Sequence, residues 1–230
     1  MNKKAQSNEH LQDASERIHR WVVLSIGTIM AIDLVVVMVR GEWLTGLLIL
    51  VIGLILLAPT LLKDRIQVKI PYEFQLVILI FVFATLFLGE IRSFYYRFWW
   101  WDIALHVASG FLLGIFGFLL IYVLNENKNV NMSMKPRFIA LFAFVFSVAI
   151  GVIWEIFEYT MDSALGANMQ KPMLGDPTGL TDTMWDLIVD TLGAAAIAGL
   201  GWWHMERNRE SFVDAWIHKF IEKNPDWFRR

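Results

Sequence analysis

Acidic side chains recur at helical spacing inside apolar stretches of this chain. In GVIWEIFEYTMD, residues 151–162, Glu155, Glu158 and Asp162 stand at positions i, i+3 and i+7. At about 100° per residue, this spacing places all three carboxylates on one face of a helix, within roughly 60° of arc. An acid near the centre of a bilayer costs about 2.5–3.5 kcal/mol, so buried acids of this kind are candidates for function.

Two further apolar stretches carry the same signal. In WDIALH, Asp102 and His106 are four residues apart, and in TDTMWDLIVDTLGA the three aspartates 182, 186 and 190 repeat every fourth residue. Residues four apart share a helix face. Small residues such as Gly110, Gly151 and Gly193 lie below each acidic stripe, on the inner part of its helix, and such faces let membrane helices approach closely. The carboxylates are therefore predicted to face one shared cavity.

The chemistry that fits this cavity is binding of a divalent cation. Carboxylate oxygens with one imidazole suit Mg²⁺, Mn²⁺, Ca²⁺ or Zn²⁺, and the chain has no cysteine to favour softer metals. The candidate metal ligands are Asp102, His106, Glu155, Asp186 and Asp190, with Glu158 and Asp182 as candidate catalytic acid–base residues and Arg92 and Arg97 as candidate contacts to a lipid head group.

Other interpretations of the acids stay open at this stage. One alternative is that the carboxylates share protons instead of binding a metal. Asp102 and Asp182 also fit as caps at helix N-termini, and Asp176, in GDPTG, fits a turn. Asp33 either extends the site or pairs with Arg40. The segment 163–181 is rich in Gly and Pro and is a candidate lid over the cavity.

The elements that must hold these residues are membrane helices. The chain is 57% hydrophobic with 11 Trp, more apolar than a typical soluble domain. Residues 43–62 contain no charge and are long enough to cross a bilayer. The sequence predicts an all-α, polytopic membrane protein with six spans, near residues 21–39, 43–62, 73–90, 100–124, 138–160 and 184–204.

The distribution of Lys and Arg predicts the orientation. Of the 20 Lys and Arg, 16 lie in the two tails and in the loops after the second and fourth spans. The positive-inside rule then places both termini in the cytoplasm and the acidic cluster toward the periplasm or exterior of a bacterial inner membrane. Residues 1–206 are predicted to form the membrane domain, and 207–230 a cytoplasmic tail with an amphipathic helix on the membrane surface.

The order of these motifs resembles a known family. WDxxxH with a glycine-rich continuation, then WExFE, then GLTDTxxDLxxDTLGA resembles the YjdF-like family of bacterial inner-membrane proteins, over residues 99–202. The pattern is more remotely similar to the VanZ-like family, from which it departs by the third Asp and by the paired acids of WExFE. The resemblance supports grouping the acids and His106 in one site and implies no mechanism.

Three functions fit this sequence. The first is a metal-dependent hydrolase or transferase acting on a lipid or lipid-linked substrate at the outer leaflet. The second is a proton- or cation-coupled transporter, although the inner halves of the last three spans carry no acid that would continue a path. The third is a structural or sensory membrane protein. Membrane lipids are the expected partners, and no nucleic-acid partner is expected.

Overall fold

The computed structural model describes residues 3–61, 69–125, 134–207 and 212–224, and these residues form helices without any strand. The helices are α1 (Lys3–Val39), α2 (Trp43–Leu61), α3 (Tyr72–Val82, continuing as a π-helix over Phe83–Ile91), α4 (Phe94–Arg97), α5 (Trp101–Asn125), α6 (Pro136–Leu165), α7 (Leu180–Glu206) and α8 (Phe212–Lys223). The prediction of an all-α polytopic membrane protein is confirmed.

Within the part of the chain that the structure describes, five stretches are long and apolar enough to cross a membrane: Ala14–Val39, Tyr72–Ile91, Trp101–Tyr122, Pro136–Leu165 and Leu180–Glu206. The least apolar of the five is α7. The second predicted span forms the apolar helix α2, whose stretch Trp43–Pro59 is shorter. The predicted boundaries of the last two spans were too short, because α6 continues to Leu165 and α7 begins at Leu180.

The chain divides into two compact units, residues 1–97 and 98–230. In the first unit, α1, α2 and α3 pack around apolar side chains, among them Met30, Ile49 and Phe87. Asp33 is buried there, and its Oδ1 lies 2.9 Å from an Arg92 guanidinium nitrogen. Of the two alternatives left open for Asp33, the structure shows an ion pair, but its partner is Arg92, the residue that follows the π-helix, and not Arg40.

The second unit contains the motif-bearing residues 99–202 and is built from α5, α6 and α7, which pack against one another. Pro136 starts α6, where its missing N–H needs no partner. Gly166 ends α6 in the left-handed conformation, at φ 63°. The predicted C-terminal helix is present as α8, and it packs against α5.

Candidate metal centre

The centre of the site is the imidazole of His106 on α5. Asp102 lies one turn earlier on the same helix, and its Oδ1 is 3.7 Å from His106 Nε2. Asp186 on α7 approaches the same ring nitrogen, with its Oδ2 at 3.8 Å. One nitrogen of the ring therefore faces two carboxylates from two helices.

The other ring nitrogen faces a different pair of acids. His106 Nδ1 lies 3.2 Å from Asp190 Oδ2, within hydrogen-bonding range, and 4.0 Å from Glu155 Oε1 on α6. Asp190 is itself held, because Ser109 Oγ donates a hydrogen bond to its Oδ1 at 2.6 Å. The i, i+4 spacing of Asp186 and Asp190 thus places them on opposite sides of one imidazole.

Glycine lets the three helices come close enough for these contacts. A Cβ added at Gly110 of α5 would overlap the backbone carbonyl of Asp190, and one at Gly193 of α7 would overlap the carbonyl of Val107. On the α6 side, Ser147 Oγ donates to the Gly110 carbonyl at 2.7 Å. A Cβ at Gly151 would lie 2.8 Å from Asp190 Oδ2. The prediction that small faces would meet beneath the acids is confirmed at these positions.

Several carboxylate oxygens in the cluster are buried without a hydrogen-bond partner in the described part of the chain. Asp186 is fully buried, and neither of its oxygens has such a partner. The same holds for both oxygens of Glu155, which is 4% exposed, and for Oδ1 of Asp182. A buried charge without a partner is costly, and proteins normally compensate it with a cation or a proton. A single imidazole carries at most one positive charge, so it cannot balance several carboxylates.

One subset of the cluster has the geometry of a cation site. One ligand atom each from Asp102, His106 and Asp186 lies within 4.8 Å of the other two. Glu155 and Asp190 approach the ring from the Nδ1 side. Glu158 is buried on α6, one helical turn from Glu155. The structure therefore brings the four predicted acidic ligands within 4.0 Å of the fifth, His106.

The segment between α6 and α7 is fixed by acids of the two helices. Asp162 accepts hydrogen bonds from the backbone N–H groups of Met169 and Gln170, at 2.7 and 2.9 Å. Asp182 Oδ2 accepts from the Lys171 N–H at 2.6 Å. Asp182 is thus an anchor for the loop, and it makes no side-chain cap at the start of α7. The loop is therefore hydrogen-bonded to both α6 and α7.

The predicted turn at Asp176 is confirmed. Its carboxylate accepts hydrogen bonds from the backbone N–H and the hydroxyl of both Thr178 and Thr181, at 2.6–3.0 Å. These bonds, led by the Thr178 hydroxyl, hold the pKa of Asp176 well below its ordinary value. The hydrogen-bond partners of this acid lie in the turn and in the first turn of α7, apart from the His106 cluster.

Two residues of the site escaped the sequence analysis. Ser109 holds Asp190, and the signal for it was its position three residues after His106, on the same helix face. Lys171 is buried, at 8% exposed, and its backbone N–H donates a hydrogen bond to Asp182. No local pattern distinguishes Lys171 from a loop lysine. The head-group candidates Arg92 and Arg97 belong to the first unit, where Arg92 pairs with Asp33.

The fold and the site define an all-α integral membrane protein with a buried carboxylate–imidazole cluster. The chain belongs to the family described as predicted membrane protein (DUF2238), which matches residues 18–207. The sequence-based assignment to a YjdF-like family of membrane proteins is confirmed. A Thermotoga maritima protein named "Uncharacterized protein" is 29% identical over 189 residues, which cover 82% of this chain and 90% of that protein. No solved structure matches the chain.

Proposed function

We propose that the His106 cluster binds a divalent cation and that the protein is a metal-dependent hydrolase or transferase of the membrane. The observation that carries the proposal is Asp186, a fully buried carboxylate with no hydrogen-bond partner among the described residues, 3.8 Å from His106 Nε2. A divalent cation held by Asp186, Asp102 and His106 would neutralise this charge. No described side chain donates a hydrogen bond to Asp186 that would stabilise the charge instead.

The contacts divide the cluster into ligands and a supporting group. Asp102, Asp186 and His106 Nε2 are the proposed ligands, and Glu155 lies near enough to join them. Asp190 faces Nδ1, and metal-binding histidines commonly donate their second N–H to a carboxylate, which fixes the tautomer and the ring orientation. We therefore assign Asp190 an orienting role instead of the ligand role that the sequence suggested.

The donor set suits Mg²⁺, Mn²⁺, Ca²⁺ or Zn²⁺. Such a cation, when bound, supplies a Lewis acid that polarises a phosphoryl or acyl oxygen. Glu158, one turn beyond Glu155 on α6, is the proposed general base, and Asp182 retains one unpartnered oxygen for a second proton-transfer role. The proposed substrate is a lipid or lipid-linked molecule at the outer leaflet of a bacterial inner membrane.

Transport is the second candidate and has weaker support. Toward the ends of α5, α6 and α7 that lie away from the His106 cluster, the packing leaves little room for an ion path. Cβ atoms at Gly114 and Gly201 would overlap the side chains of Ile197 and Phe118, and one at Gly117 would lie 2.8 Å from Ala143 Cα. A path for a hydrated ion, or a chain of groups that relay protons, needs polar side chains at this depth along the helices. The tight apolar contacts favour a site that exchanges ligands from one side only.

The proposal is tested first by elemental analysis of protein purified in mild detergent after dialysis against a mixture of divalent cations. We expect one or two equivalents of one metal in the wild type and a loss of most of it in Asp186→Asn. Glu42→Gln is the matched control, because Glu42 is an exposed acid between α1 and α2, outside the cluster.

Equal metal content in the wild type and Asp186→Asn would refute the proposed ligand set. If the metal is confirmed, the wild type is next incubated with radiolabelled membrane lipids and lipid-linked phosphates. Turnover that requires the metal and Glu158 would support the enzyme. A bound metal without turnover of any lipid class would favour the structural or sensory role.

A further inference from the structure

An apolar groove lies between α6 and α7, at the helix ends opposite the acidic cluster. Its volume is about 630 Å³, and its walls are apolar and small side chains, including Ala140, Leu141, Phe144, Ala198 and Gly199. Arg137 and Trp202 also line it. All of these residues belong to the second unit.

The groove is separate from the His106 cluster. Arg137 precedes Glu155 by 18 residues on α6, and Trp202 follows Asp186 by 16 residues on α7. At 1.5 Å per residue these separations are roughly 27 and 24 Å. The hydrocarbon core of a bilayer is about 30 Å thick, so the Arg137 and Trp202 end of the groove and the cluster lie near opposite surfaces of the membrane.

Arg137 gives the groove a positive charge at the α6 N-terminus. Its guanidinium lies 5.9 Å from the centre of the Trp202 ring, and among the described residues it forms no ion pair. The Trp202 indole N–H is directed to Glu206 Oε2, at 3.3 Å. A guanidinium beside an aromatic ring at the end of a membrane helix is suited to a phosphate at the level of the lipid head groups.

We propose that this groove binds an anionic phospholipid, with an acyl chain along the Ala198 and Gly199 wall and the phosphate against Arg137. A free phosphate has no apolar part that could pack against the walls of the groove. A phospholipid has acyl chains that can, and the bilayer supplies such chains in excess at this surface. Basic pockets between membrane helices favour anionic head groups. The charge of Arg137 and the apolar walls together select a phospholipid with net negative charge over a zwitterionic one.

The head-group part is tested by native mass spectrometry of delipidated protein exposed to phosphatidylglycerol or phosphatidylcholine. We expect the wild type to retain phosphatidylglycerol preferentially. Arg137→Gln should lower this retention roughly fivefold, the effect of about one lipid-facing cation. Arg207→Gln is the control, since Arg207 lies 4.5 Å from the centre of the Trp203 ring and does not line the groove. Unchanged retention in Arg137→Gln, or an equal loss in the control, would overturn the assignment of Arg137.

The acyl-chain part is tested by filling the groove. Gly199 lines the groove and a Cβ there meets nothing within 4 Å, so the side chain of Gly199→Leu starts in open space at the groove wall. We expect this variant to lose retention of both lipids, while Gly27→Leu, at an equally open glycine of α1, retains them. Full retention by Gly199→Leu would refute the site. A wild-type dimer that Gly199→Leu converts to a monomer would show instead that a second copy occupies the groove.

Discussion

Gly151→Ala should weaken metal binding without destabilising the fold. A Cβ at Gly151 would lie 2.8 Å from Asp190 Oδ2, whereas ordinary contact begins near 3.4 Å, so the carboxylate must move by about 0.6 Å (3.4 − 2.8). Asp190 Oδ2 is 3.2 Å from His106 Nδ1, and its other oxygen is 2.6 Å from Ser109 Oγ. A displacement of that size distorts at least one of these two contacts.

The size of the effect follows from the orienting role of Asp190. Loss of such a carboxylate partner typically reduces metal affinity about 10–100-fold, which corresponds to about 1.4–2.8 kcal/mol. Replacing Gly by Ala inside a helix stabilises it by up to about 1 kcal/mol. The clash involves a side-chain oxygen and not backbone, so the two effects should have opposite signs: weaker metal binding with equal or higher stability of the metal-free protein.

Isothermal titration calorimetry with Mn²⁺ measures the affinity, and thermal unfolding with chelator measures the stability of the metal-free protein. Gly27→Ala is the control, because a Cβ there meets nothing within 4 Å. If wild type and Gly151→Ala bind Mn²⁺ with the same dissociation constant, Asp190 does not orient His106 for the metal. If Gly151→Ala unfolds well below the wild type without metal, the added methyl disturbs the helix packing itself.

Further predictions concern packing, pairing and the loop. Gly110→Ala should lower the free energy of unfolding by about 1–3 kcal/mol, because the new Cβ meets the backbone carbonyl of Asp190. Thermal unfolding measures this, with Gly199→Ala as the control, and equal melting temperatures of the two variants would contradict the close contact. Arg92→Met should cost about 1–3 kcal/mol by leaving buried Asp33 unpaired, whereas Arg40→Met should be neutral in the same assay; a neutral Arg92→Met would contradict the importance of the pair. The lowered pKa of Asp176 means that its hydrogen bonds keep their full contribution above about pH 4 and lose it as the pH falls further. The protection factors of the Thr178 and Thr181 amides, which compare exchange with the intrinsic rate at each pH, should therefore stay constant from pH 8 to about pH 4 and fall only below it; a fall near pH 6 would contradict this.

Periodicity predicted most of the cluster, because i, i+4 spacing fixes which acids share a helix face. Asp186 and Asp190 were placed together in this way, and both contact His106. Their division between the two ring nitrogens depends on how α7 crosses α5 at Gly110 and Gly193, a tertiary relation that no single helix encodes. The sequence therefore predicted that Asp186 and Asp190 lie near His106, but not that they face different nitrogens of its ring.

Hydropathy predicted the helices, and it misjudged features that depend on polar contacts. α6 and α7 extend beyond the apolar stretches because Asp162, Asp176 and Asp182 anchor the loop between them. The partner of Asp33 could not be read from the chain, since Arg40 is near in sequence while Arg92 is brought to it by the packing of α1 and α3. The division at residues 97 and 98 has no marker in composition.

The acids of α7 have a consequence for how the protein is made. This helix is the least apolar of the five long ones, and it carries Asp182, Asp186 and Asp190. Each acid opposes entry into lipid, at about 2.5–3.5 kcal/mol near the bilayer centre. In the folded protein these acids pack near His106 and the glycine face of α5, and α5 is synthesised before α7. We expect α7 to enter the bilayer efficiently only beside α5. Chains in which the site cannot assemble should therefore fail at the insertion of α7.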